Sequence, residues 1–247
     1  MQTPILRLAT ALVVLLWAQS TAAQTADEVI EKSIAAMGGR AALEKVQSRQ
    51  MTGTLAIGTP AGDIQGTIEI LNAVPNTART VIKADLSAFG AGPMLIDQRF
   101  DGTKGYVIDT LQGDREITGQ QLDTMKANAF PHPFLNYKAQ GASVQLSGKE
   151  KVLDKDAFVL VFQPPSGPPI KQYVDATTFM PLRTVIKATV PQFGEVEQNA
   201  DPSDYRDLDG VKVPYKLQIQ SSVQGLTMTF TKIEQNVTVD EKLFVKQ

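Results

Sequence analysis

The apolar positions of this chain follow two periods. Between residues 25 and 46, Val29, Ile30, Ile34 and Met37 fall at offsets of 0, 1, 5 and 8, the stripe of an amphipathic helix. Thr25 or Asp27 can cap its start, and Gly38-Gly39 ends it, because glycine accepts the left-handed conformation of a helix terminus. A short second turn over 41–46 carries Leu43 and Val46. From Ser48 the period changes to 2. Met51, Gly53, Leu55 and Ile57 alternate with Gln50, Thr52 and Thr54. Beyond Gly58-Thr59-Pro60-Ala61-Gly62-Asp63, Ile64, Ile68 and Ile70 alternate with Gln65, Thr67 and Glu69. Two such runs about a Pro/Gly turn predict an antiparallel hairpin. The pattern recurs over 78–86, 94–100, 104–110, 144–152, 157–163, 170–175, 182–190, 195–206, 211–221 and 226–234. Asp101-Gly102, Pro164-Pro165-Ser166-Gly167, Asp209-Gly210 and Gln224-Gly225 supply turns between these runs. About eleven or twelve strands without alternating helices predict an antiparallel sheet. One segment interrupts them. Over 119–130, Leu122, Met125 and Ala129 recur at helical spacing, and Pro131-His132-Pro133-Phe134 must end that helix.

Strands of this kind bury one face. A twisted sheet of more than ~10 strands curls or splits into two layers. The two helical segments, each ~15–30 Å long at 1.5 Å per residue, are too few to fill the concavity of such a curl. Two solutions stay open: a sandwich closed on itself, or an incomplete barrel whose helices cap an apolar hollow. Phe158-Val159-Leu160-Val161-Phe162 requires a strand covered on both faces, which either solution provides. Phe89-Gly90-Ala91-Gly92-Pro93-Met94 is an apolar loop, read either as a gate or docking surface or as an ordinary strand crossover.

The N-terminus reads as an address. Arg7 precedes an apolar run over 8–18, and Ser20, Thr21, Ala22 and Ala23 follow. Eleven residues cannot cross a ~30 Å hydrocarbon core but match the apolar region of a signal peptide, with cleavage after Ala22 or Ala23. The expectation is a leader over 1–23 and a single domain over 24–247, exported to the periplasm. With no cysteine for lipidation, it is not membrane-anchored.

Composition then removes most chemistry. Lys and Arg number 24 against 26 Asp and Glu, a net charge of -2 that argues against a nucleic-acid or polybasic membrane surface. Zero Cys excludes disulfides, thiolate metal sites and cysteine nucleophiles. A single histidine, His132, excludes any site built on two imidazoles. Between two prolines, it reads as an exposed or hydrogen-bonded loop histidine. Asp201, Asp204, Asp207 and Asp209 lack the spacing of a calcium loop, and Asp209-Gly210 is better explained as a hairpin turn. Trp17 leaves with the leader, and 6% aromatics offers sugars little stacking surface. The sequon Asn236-Val237-Thr238 is incidental to this reading. The expectation is a non-enzymatic binder with no catalytic residue, metal or cofactor.

Ala36-Met37-Gly38-Gly39, followed by Ala42-Leu43, Val46 and Thr52-Gly53, resembles the first helix and first strand of the LolA-like family of periplasmic lipoprotein-carrier and lipid-binding proteins. The run YRDLDGVKVPYKL over 205–217 resembles that family's late hairpin, and Phe230, Ile233, Val237 and Phe244 resemble its last strand and tail. The resemblance implies a mainly β fold with a few helices: a strongly curved antiparallel sheet forming an incomplete, half-open barrel capped by helices. It also implies acyl chains in the cavity and an inner arginine that holds the lid, for which Arg79, Arg99 and Arg183 are candidates.

The function expected is a soluble carrier or sensor for the acyl chains of a lipid or lipoprotein, including outer-membrane lipoprotein sorting between membrane-bound donor and acceptor proteins. The alternative is a ligand-free β module that docks onto an envelope complex. Leu55, Ile57, Ile68, Ile70, Ile82, Ile96, Phe158, Leu160, Phe162, Leu217, Ile219, Met228 and Phe230 form the expected cavity wall. Ile30, Ile34, Met37, Leu122, Met125 and Phe130 form the expected lid. At ~0.8 kcal/mol per buried CH₂, a 16-carbon chain gains on the order of 10 kcal/mol before ordering costs.

Overall fold

A computed structural model describes residues 24–59, 62–128, 130–190 and 194–246. The leader expected over 1–23, the turn residues Pro60 and Ala61, and Ala129 lie outside the described residues.

Helix α1 (Ala26–Ala36) begins at Thr25, whose hydroxyl accepts the Glu28 N–H while the Glu28 carboxylate accepts the Thr25 N–H. This reciprocal capping box satisfies two otherwise unpaired backbone donors. Gly38 and Gly39, at φ 122° and 88°, turn the chain into α2 (Arg40–Glu44). The first half of the sheet follows: β1 (Ser48–Thr59), β2 (Gly62–Ala73), β3 (Thr77–Asp85), β4 (Pro93–Phe100), β5 (Gly105–Asp109) and β6 (Arg115–Ile117). Helix α3 (Gly119–Ala127) and a loop lead to the second half, β7 (Ser143–Val152), β8 (Lys155–Gln163), β9 (Ile170–Asp175) and β10 (Pro181–Val190). It ends with β11 (Gly194–Leu208), β12 (Val211–Ser221) and β13 (Gly225–Gln235). The apolar loop after β3 folds as a 3-10 turn, Ser87–Phe89, within a β3–β4 hairpin and leaves Phe89 exposed.

The described residues form one 13-stranded sheet in the order β6-β5-β4-β3-β2-β1-β13-β12-β11-β10-β9-β8-β7. Neighbours are antiparallel throughout, and the sheet is not closed into a barrel. The strand beyond the expected eleven or twelve is β6, whose three residues are too few to show a period. Pairing of β1 with β13 places the first and last strands at the centre. The free edges are therefore β6 and β7, which are consecutive in sequence, and the connection over 118–142 runs from one edge to the other.

Alternation sorts the side chains onto two faces. Inward, Leu55, Ile68, Phe158, Leu160, Phe162, Met228 and Phe230 pack in one cluster with Val29, Ile30 and Ile34 of α1 and with Phe134. Outward, Ala157 and Val159 pack with Val152, Tyr173, Leu182 and Val185. The apolar run of β8 is thus covered on both faces, as its composition requires. Phe244, in a 3-10 turn at Glu241–Phe244, is buried on Leu71 and Ala73, so the tail braces the outer face.

Two glycines are fixed by close approach. A Cβ on Gly38 would stand 2.1 Å from the Gly210 carbonyl oxygen, and the Lys212 N–H donates to the Met37 carbonyl at 2.9 Å. The Gly-Gly turn after α1 therefore sits directly on the Asp209-Gly210 hairpin, whose φ values of 53° and 82° suit a two-residue hairpin turn. A Cβ on Gly53 would stand 2.1 Å from the Thr229 carbonyl oxygen, where the β1–β13 register shifts. Gly53→Ala is expected to cost about 2 kcal/mol or more, because backbone rather than a flexible side chain must yield. Urea unfolding measures this, and an unchanged midpoint would show that the bulge adjusts freely.

Candidate ligand-binding site

All of the expected wall residues stand on the inner face, brought there by register. Gly53, Ile68, Ile82 and Ile96 lie side by side across β1 to β4. Leu55, Met228 and Leu217 do so across β1, β13 and β12, and Ile57, Leu226 and Ile219 form the next row. Burial divides this surface in two. Leu55, Ile68, Phe158, Leu160, Phe162, Met228 and Phe230 are fully packed, at 0–6% exposure. Ile57, Ile70, Ile82, Ile96, Leu217 and Ile219 remain half-buried, as do Met51 and Leu226. The concavity is filled beside α1 and keeps an accessible aliphatic strip elsewhere. A cleft of about 480 Å³ over β2 to β4 and one of about 380 Å³ over β1 to β3 border the outward-facing Thr67 and Lys83 instead.

The expected lid separates in the same way. Ile30 and Ile34 are 1% exposed and Met37 8%, so α1 belongs to the core. Polar contacts fix it further. Tyr137 and Lys138 both donate to the Asp27 carboxylate at 2.7 Å, and the Arg40 guanidinium donates to the Leu135 carbonyl at 2.8 Å. The hydrogen bonds from Lys138 and then Tyr137 hold the Asp27 carboxyl below its usual pKa.

Helix α3 presents only half-buried and exposed residues, Leu122 and Met125 among the former. It is tied to both halves of the sheet by polar groups. On one side, Asn76 donates to the Lys126 carbonyl at 3.1 Å and Gln121 to Gln98 at 3.5 Å. On the other, Gln120 donates to the Lys187 carbonyl at 3.4 Å. Phe130, just beyond α3, reaches the inner cluster.

None of the three candidates for an inner, lid-holding arginine faces the hollow. Arg79 and Arg99 share Asp97 at 2.7 and 2.8 Å, and Arg99 also donates to the Val245 carbonyl, beneath the tail. Arg183 pairs with Asp201 at 2.6 Å. Arg79 and Arg99 occupy odd positions on strands whose inward residues, Ile82 and Ile96, are even, so alternation turns them outward. The same rule turns Arg49 inward, with Met51, Gly53, Leu55 and Ile57, and its guanidinium carbon lies 5.5 Å from the centre of the Phe130 ring. This residue was legible from strand parity but is masked by its place at the strand's start. The acidic group near the late hairpin is taken up locally: Asp201 by Arg183, Asp204 by Arg206, and Asp207 by Lys212.

His132 is hydrogen-bonded rather than free. Its Nδ1 accepts the Phe134 N–H at 3.2 Å, and its ring meets Phe134 edge-on. Burial first, then the positive charges of Arg49 and Arg40, push its pKa down to about 4. The imidazole is neutral at physiological pH, with its proton on Nε2.

Neither a family model nor a curated protein matches this sequence. Solved structures do resemble the fold. The LolA superfamily protein NE2245 from Nitrosomonas europaea is 14% identical, with 91% of this chain and 99% of that chain covered and a TM-score of 0.57. A DUF1329 family protein from Desulfovibrio piger is 13% identical over 89% and 96% of the two chains, with a TM-score of 0.55. A Vibrio parahaemolyticus domain described as outer membrane lipoprotein-sorting is 11% identical over 88% and 94%, with a TM-score of 0.53. At these identities the likeness concerns architecture, and the architecture is LolA-like.

His132 is the single histidine, so its ring resonances report one site. They are expected to titrate with a midpoint near pH 4, against about 6.5 in the unfolded chain. Between those values the unfolded chain binds more protons, so stability falls as pH drops through that window. His132→Gln is expected to remove this part of the slope. A folded-state midpoint near 6.5 would contradict the buried placement.

Proposed function

We propose that this protein is a non-enzymatic carrier or sensor for acyl chains, acting in the periplasm after loss of residues 1–23. The observation that carries this reading is the strip of Ile57, Ile70, Ile82, Ile96, Leu217 and Ile219, half-buried on the inner face of an open sheet. An aliphatic surface left accessible inside a fold gains free energy when a hydrocarbon chain covers it, at about 25 cal/mol per Å² removed from water. The LolA-like architecture and the lipoprotein-sorting description of one structural neighbour support the same direction. The cargo is the acyl part of a lipid or lipoprotein, exchanged with membrane-bound donor and acceptor proteins.

The part that moves is α3 with Phe130, since no residue of α3 is fully buried, whereas moving α1 would expose Val29, Ile30 and Ile34. Met125 of this helix meets the inward-facing Gln98, and methionine adapts to varied chain shapes.

Purified protein is expected to release lipid into organic solvent and, once delipidated, to take up a fluorescent fatty acid. Ile82→Asp is expected to weaken that uptake at least about tenfold with the far-ultraviolet spectrum unchanged, because a carboxylate on the strip opposes an apolar chain. Absence of both bound lipid and uptake would favour a ligand-free docking module instead.

A further inference from the structure

The guanidinium of Arg49 stands on the inner face with its charge unanswered. Its Nε is buried and has no hydrogen-bond partner. One aromatic ring, that of Phe130, lies against it. Loss of water pushes its pKa down to about 10, and no carboxylate among the described residues stands near enough to offset that. Elsewhere this fold pairs its strand arginines: Arg79 and Arg99 share Asp97, and Arg183 holds Asp201. A buried cation without a counter-charge is destabilising, so its presence at Arg49 points to an anion from outside the chain. A neutral His132, its proton on Nε2, lies close enough to feel the Arg49 charge.

What lies beside Arg49 identifies the bearer of that anion. Met51 is the next inward residue along β1, paired with Ile70 on β2, and the strip continues to Ile82, Ile96 and Ile57. The eight steps from Arg49 to Ile57 span about 27 Å at 3.4 Å per residue, a track long enough for an extended acyl chain. A free inorganic anion would make no use of that track.

We propose that Arg49 receives the anionic end, a carboxylate or a phosphate, of an amphiphile whose acyl chain lies on the half-exposed strip. This rests on the acyl-binding reading above and adds the head group to it. Fork-shaped recognition by a guanidinium suits either oxyanion.

Equilibrium dialysis of the delipidated protein against two matched pairs tests it, each probe below its micelle concentration. One pair is palmitate and its methyl ester; the other is a lysophosphatidic acid and the monoacylglycerol with the same chain. The expected result is at least about tenfold tighter binding of the charged member in one pair or both, which also says whether carboxylate or phosphate is preferred. Arg49→Met is expected to abolish the preference while leaving binding of the neutral member within about twofold, and Arg49→Lys to keep part of it. Arg49→Gln serves the same comparison should the methionine variant fail to fold. The melting temperature of ligand-free Arg49→Met is expected to equal or exceed that of the parent, whereas a guanidinium kept for structure would lower it on removal. Equal binding of charged and neutral members by the parent, or a preference that survives in the variants, overturns the head-group assignment and leaves acyl binding standing. Binding of neither member of either pair overturns both.

Discussion

The pairing of β1 with β13 is the constraint on which the rest depends. It joins the two ends of the chain at the centre of the sheet and pushes the free edges out to β6 and β7. Because those strands are consecutive in sequence, the segment between them must travel from one edge to the other. A helix in that segment bridges the open side of the sheet as a consequence of topology. The contacts of α3 with Gln98 on β4 and Lys187 on β10 are the local expression of this route. The central seam is itself tightly specified, since Gly53 admits no side chain where it meets Thr229.

Two helices over one apolar face thereby come to do different work. The stripe of α1 is dry, and its end is anchored by backbone to the late hairpin. It supplies the burial that a one-sided sheet needs to be stable. The amphipathic pattern of α3 is weaker, and its ties include side-chain amides donating to carbonyls and to another amide. Exposed hydrogen bonds of this type contribute little net stability, about 1 kcal/mol each. Parts of a protein that open most readily are those with few buried apolar contacts, and α3 fits that description. The outer face carries the compensating rigidity: the Arg79–Asp97–Arg99 group beneath the tail, and the cluster of Val159, Tyr173 and Val185.

Much of this was legible from residue order. Alternation located the strands and their inward faces, the Gly38-Gly39 and Asp209-Gly210 turns marked the ends of elements, and the run from Phe158 to Phe162 announced a strand covered twice. What a local pattern does not carry is partnership. Nothing near residue 50 says that β1 pairs with a strand some 180 residues away, and so the free edges, and the reason for a bridging helix, could not be read. Depth was equally hidden. Ile30 and Ile34 on α1, four apart, and Leu122 and Met125 on α3, three apart, both fit a helical face, yet one pair is sealed and the other half-exposed. The arginines are a different case, because parity alone separates Arg49 from Arg79 and Arg99.

The central claim is that the fold is divided into a sealed half under α1 and a door formed by α3. Amide hydrogen exchange of the ligand-free protein tests it most directly, segment by segment. The account predicts that 119–127 exchanges roughly a hundredfold faster than 29–36, through local opening that leaves α1 and the β1–β13 seam protected. Equal protection of the two helices, or their exchange as one unit, would contradict it.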